Sequence, residues 1–138
     1  MLVTKQIEID LGHRLMNHKS KCSRYHGHRY KIEVGVDDKV TIKKGVSDEG
    51  MVIDFGDLKE IMMQEIDAKF DHRFIIEKGD LLSDSAFRSL GIIEVDFPPT
   101  AENLAKHWYL LIEPKLRISY VKVWETPTST AIFTNNDK

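Results

Sequence analysis

The residues best suited to chemistry crowd into CSRYHGHRY, residues 22–30. There the chain's one cysteine stands four positions ahead of His26, and Gly27 alone parts His26 from His28. Residues two apart in extended backbone point the same way, so both imidazoles project from one face. The predicted strand, His26 to Val36, puts His26, His28, Tyr30, Ile32, Val34 and Val36 on that face and Gly27, Arg29, Lys31, Glu33 and Gly35 on the other. An earlier strand, Val3 to Leu15, alternates in the same manner and carries His13 in phase with Ile7, Ile9, Leu11 and Leu15. If the two strands are neighbours, three imidazoles converge. Three neutral histidines with one position left open suit a catalytic zinc ion, since structural zinc is closed by four protein ligands. The bland alternative makes HGH a chance triplet and each inward histidine a hydrogen-bonded core residue. The phase of His13 favours the metal.

Three other positions have more than one reading. Cys22 is either an inert buried thiol, a fourth metal ligand, or a thiolate beside a cation, where its pKa falls. FDHRF, residues 70–74, sets Asp71 beside His72 after a helix. That is either a solvated helix end or a carboxylate-oriented imidazole that exchanges a proton with Cys22. Glu125 shares a strand face with Val121 and Val123. It either lies at the strand's exposed end or grips the paired N–H donors of a ligand.

The elements that must hold these groups follow from periodicity. Asp54 suits a helix cap, and Leu58, Ile61, Met62 and Ile66 then keep helical spacing. A second helix starts at PPTAEN, where Thr100 caps, Glu102 meets the positive end of the dipole, and Leu104, Trp108, Leu111 and Ile112 form one stripe. Pro114 ends it, and a last strand runs from Ile118 to Glu125. Strands and helices in this order predict an α+β domain over residues 1–138. At 138 residues one core is expected, burying roughly two thirds of the unfolded surface. The formal charge of −2 comes from interspersed charges, which argues against a nucleic-acid partner and for a small molecule. No apolar run reaches the roughly 20 residues of a membrane helix, so no membrane partner is expected. One cysteine and a start, MLVTKQIEID, without a signal pattern point to a cytoplasmic protein.

His13-Arg14-Leu15, CSRYHGHRY, FDHRF, FPPTAENLA (97–105) and VKVWET (121–126), in that order, resemble the successive motifs of the 6-pyruvoyl-tetrahydropterin synthase family. The spacing from cysteine to histidine is similar to that of its 6-carboxy-5,6,7,8-tetrahydropterin synthase branch, and the resemblance runs from about residue 7 to 133. It implies a tunnelling fold (T-fold): a four-stranded antiparallel sheet with two helices on one face, its subunits joining as a homo-hexamer or homo-tetramer into a β-barrel. Active sites would then lie at subunit interfaces. The fourth strand is expected in residues 40–53. The resemblance further implies zinc (Zn2+) on His13, His26 and His28, with Cys22 as general base assisted by Asp71 and His72. Glu125 would anchor a pterin, and Thr100 and Glu102 would line its pocket, although both also suit a helix cap. The implied substrate is 7,8-dihydroneopterin triphosphate. It would lose acetaldehyde and triphosphate to give 6-carboxytetrahydropterin for queuosine-type bases. Two alternatives stay open: triphosphate elimination alone, as in the pyruvoyl branch, and a non-catalytic zinc- or pterin-binding module with Cys22 as fourth ligand. Two departures stand out. Leu11-Gly12 replaces a pair of small residues before His13. The long connection 77–99 offers Leu81, Leu82, Phe87 and Leu90 for an extra helix over the pocket or an interface. Arg24 and Arg29 are conjectural contacts for the triphosphate.

Overall fold

A computed structural model describes the protein over residues 1–138. The centre of the fold is a long hairpin. β1 (Leu2–His13) and β2 (His26–Asp37) pair antiparallel from Leu2↔Asp37 to His13↔His26. β5 (Tyr120–Thr126) lies antiparallel on β2, and β6 (Ser129–Thr134) antiparallel on β5. β3 (Arg73–Glu77) joins the other edge parallel to β1 along Leu11 to His13, and β4 (Ile92–Val95) lies parallel to β3. The sheet therefore has six strands in mixed order, β4-β3-β1-β2-β5-β6, rather than four antiparallel ones.

The fourth antiparallel strand is β6, and residues 40–53 form turns and coil. Charged residues and two glycines, Gly45 (φ 79°) and Gly50 (φ 82°), break that segment with left-handed backbone. β6 escapes pattern reading because its Ile132 faces outward, 54% exposed, which blurs the alternation. The long connection starts where β3 ends, at Glu77, and contains β4. The expected extra helix is two short 3-10 turns, Leu81–Ser83 and Ser85–Leu90, each capped by an aspartate, Asp80 or Asp84.

Both helical regions pack on one face of the sheet, as the resemblance implied. Asp54 caps α1 (Phe55–Met62) by accepting from the Gly56 N–H at 2.6 Å. The rod then continues through a π-helical segment, Met63–Asp67, into a last turn, α2 (Ala68–Phe70). Its buried residues Leu58, Met62, Ile66 and Phe70 recur every four positions. That spacing drifts around a 3.6-residue helix, and the wider π turn brings the stripe back to the sheet. Thr100 caps α3 (Ala101–Ile112) through the Asn103 N–H at 3.2 Å. Leu104, Trp108 and Ile112 of α3 join Ile9, Leu11, Tyr30, Ile32 and Val34 in one core. No helix is long and apolar enough to cross a membrane.

Candidate active site

Strand register builds the centre of the site. His13 lies opposite His26, Gly12 opposite Gly27, and Leu11 opposite His28, so all three imidazoles share the helix-facing side at the end of the hairpin closed by the loop 14–25. Ring centroids stand 4.6 Å (His13–His26), 5.1 Å (His13–His28) and 5.0 Å (His26–His28) apart. One nitrogen from each lies within 4.8 Å of the other two. Gly12 and Gly27, which alternate with the histidines, have little room for a side chain on the opposite face. A Cβ on Gly12 would stand 2.2 Å from the Phe74 ring, and one on Gly27 would stand 3.2 Å from the Leu11 carbonyl. This close packing by β3 is what the departure Leu11-Gly12 accommodates.

Hydrogen bonds orient the rings. His13 Nδ1 donates to the Pro99 carbonyl at 2.7 Å, and His26 Nδ1 donates to the Arg24 carbonyl at 2.6 Å. A carbonyl only accepts, so both rings carry their proton on Nδ1 and turn a bare Nε2 inward. Those two Nε2 atoms face each other at 3.1 Å. Two lone pairs at that distance repel unless a cation or proton lies between them. His28 Nε2 is buried without any hydrogen-bond partner, and Glu125 Oε1 stands 3.7 Å from it, beyond bonding range. Burial pushes the pKa of His13 and His28 down, against the Pro99 hydrogen bond at His13 and the Glu125 charge at both, which favours neutral, ligating imidazoles. Three inward nitrogens, no fourth protein ligand and carbonyl-held outer nitrogens fit a catalytic divalent ion such as zinc.

Tyr30 is a member of the site that the pattern placed on the right face without assigning a role. Its hydroxyl lies 3.2 Å from His13 Nδ1. Burial and the Glu125 charge push its pKa up, so it remains a phenol. Its position two residues past His28 is the signal that could have marked it. The Pro99 and Arg24 carbonyls leave no such trace, because backbone groups carry no sequence identity.

The other expected residues fall into separate places. Cys22 sits half-buried on a 3-10 turn, Lys21–Ser23, and stands outside the imidazole group. Asp71 and His72 follow α2, with His72 Nδ1 2.7 Å from Asp71 Oδ2. Both are gripped by β1: Asp71 Oδ1 accepts the Asp10 N–H at 2.9 Å, and the His72 N–H donates to the Asp10 carbonyl at 2.8 Å. These bonds hold His72 at φ 59°, a conformation a β-carbon disfavours. Its side chain is 76% exposed. Within one chain His72 therefore faces solvent, and it meets the centre only across an open hollow of about 400 Å3 that it shares with Asp10, Gly27, His28 and Arg29. A neighbouring hollow of about 440 Å3 is bordered by His28, Arg29, Lys31, Trp124 and Glu125. Glu125 thus lies at the end of β5 and beside a pocket at once. Arg29 is engaged by Asp10 at 2.9 Å, and Arg24 contributes its carbonyl. Thr100 acts as a cap, and Glu102 lies exposed in the first turn of α3.

An α+β sheet whose central hairpin converges three imidazoles, with a carboxylate and a hollow beside them, has the frame of an enzyme that handles a small molecule. The family model described as 6-pyruvoyl tetrahydropterin synthase matches residues 2–136, and the chain belongs to that family. It is 38% identical over 133 residues to 6-carboxy-5,6,7,8-tetrahydropterin synthase of Rickettsia felis, covering 90% of this chain and 93% of that protein. It is 34% identical to the enzyme of the same name from Haemophilus influenzae, covering 92% and 94%. Two solved structures share the fold. An uncharacterized protein of Wolinella succinogenes aligns with a TM-score of 0.80 at 23% identity, covering 98% of each chain. Caenorhabditis elegans 6-pyruvoyl tetrahydropterin synthase aligns at 0.72 and 22%, covering 98% and 95%.

Proposed function

We propose that the protein is a zinc-dependent lyase. It converts 7,8-dihydroneopterin triphosphate and water to 6-carboxy-5,6,7,8-tetrahydropterin, acetaldehyde and triphosphate. The observation that carries this reading is the inward trio of Nε2 atoms, one of them buried and unpartnered. The shared name of the bacterial relatives supports the product. Held by His13, His26 and His28, zinc would supply a Lewis acid for the hydroxyls of the substrate's side chain.

The chain's own groups do the rest. Glu125 offers two carboxylate oxygens to the pterin ring N–H and exocyclic amine as parallel hydrogen bonds, which sets the ring beside His28. Cys22 removes a proton as general base. Asp71 holds His72 by Nδ1, leaving Nε2 free to exchange a proton, a step contributing about 10²- to 10⁴-fold. Because His72 faces solvent in its own chain, it serves the Cys22 of an adjoining copy, in a homo-hexamer or homo-tetramer. Thr100 and Glu102 line the pterin pocket in addition to starting α3. The product feeds queuosine-type deazapurines in the cytoplasm.

The deciding experiment incubates the protein with zinc and substrate, with and without chelator. Acetaldehyde should appear only without chelator. Triphosphate released without acetaldehyde would instead establish the pyruvoyl-type reaction. Cys22→Ala should keep its zinc and lose turnover. A variant that sheds zinc as readily as His28→Ala would make Cys22 a fourth ligand and the protein a binding module.

A further inference from the structure

The loop 14–25 between β1 and β2 begins beside His13, ends beside His26 and carries Cys22. Where strand pairing stops, the Arg14 guanidinium stacks over the Tyr25 ring at 4.6 Å. Both side chains then converge on a single carboxylate. Arg14 Nε donates to Asp80 Oδ2, and the Tyr25 hydroxyl donates to Asp80 Oδ1 at 2.7 Å. The Leu82 N–H donates to Oδ1 as well, at 3.0 Å. Asp80 comes from the long connection after β3, yet its side chain is only 1% exposed.

The same loop is braced from within. Arg14 Nη1 donates to the Ser23 carbonyl at 3.3 Å, and the Leu15 N–H donates to the Cys22 carbonyl at 2.8 Å. Gly79, at φ 95°, turns the chain against Met16 and presents Asp80 to the loop. Burial pushes the Asp80 carboxyl up, but the Leu82, Arg14 and Tyr25 donors outweigh it, so it stays a carboxylate. Stability alone is a weak reason for such a group: a buried ion pair barely repays its desolvation, and apolar replacements are often as stable. What a directional pair supplies is a fixed arrangement.

We propose that Asp80 is the positioning residue of the Cys22 turn. Through Arg14 and Tyr25 it fastens the loop to the β3 side of the sheet and sets where the thiol stands relative to the three imidazoles. This rests on the role proposed above for Cys22. It gives the long connection a task that neither capping a pocket nor meeting a partner requires.

The chain's single cysteine makes the test direct, because alkylation by iodoacetamide, followed by mass spectrometry, reads Cys22 alone. In zinc-loaded protein, Asp80→Asn should speed alkylation about tenfold, equivalent to a local opening easier by about 1.4 kcal/mol. It should lower kcat with little change in KM and leave zinc content unaltered. Tyr25→Phe, which keeps the ring beneath Arg14 and removes one donor, should move both readouts the same way by less. A lowered melting temperature with alkylation at the wild-type rate would overturn the proposal, since the pair would then only stabilise. If Asp80→Asn does not fold, the alkylation rate of Tyr25→Phe decides. Wild-type protein that releases no acetaldehyde would refute the carboxytetrahydropterin reading and not the clamp, because alkylation needs no turnover.

Discussion

The Asp71–His72 pair shows how much a single residue's setting depends on its neighbour. The Asp71 hydrogen bond, then its charge, raise the His72 pKa. The Asp10 N–H, ahead of His72 itself, lowers that of Asp71. The linkage has a definite sign. The contribution of His72 is complete below its unfolded value of about 6.5 and fades as pH rises through the raised folded value. The contribution of Asp71 is complete above its unfolded value of about 3.9 and fades as pH falls through the lowered one. The pair is therefore fully formed across mildly acidic pH. Asp71→Asn should return the His72 midpoint toward about 6.5, followed by the ring C–H shifts in an NMR titration. A midpoint that does not move would show that the carboxylate leaves the imidazole untuned. Legibility at this scale follows the side chains. His13, His26 and His28 could be read because their types and phase suffice, whereas the Pro99 and Arg24 carbonyls that orient two of them could not.

Elements carry a different kind of information. The hairpin was legible from alternation, and α1 and α3 from caps and apolar spacing, because those signals are local. β3 and β4 were not. They are short and parallel, and their pairing with β1 and each other depends on segments far along the chain. Their cost to the pattern is visible at Gly12, where β3 presses the Phe74 ring against β1. That ring also packs on Tyr25, with centroids 5.6 Å apart, so it has little room to swing away. Gly12→Ala should destabilise the fold by about 1–3 kcal/mol in urea unfolding. A change near zero would mean that Phe74 moves freely and that the spacer glycine has no packing role.

At the scale of the molecule, the sheet ends in two edge strands, β4 and β6, and the exposed Ile132 lies on the second. Open edges favour pairing between copies, and the proton exchange proposed for the solvent-facing His72 calls for another chain beside it. Sedimentation at micromolar concentration should show a homo-hexamer or homo-tetramer. A monomer that still turns over substrate would contradict a site shared between chains.

The hairpin register has one more result. Its side-chain period is two, so a slip of β2 past β1 by a single residue would swing His26 and His28 to the solvent face together with Tyr30, Ile32 and Val34. A misaligned hairpin would forfeit its oily interior and its imidazole trio in one stroke. Selection for turnover therefore also proofreads folding, because no half-correct conformer retains the means to be useful.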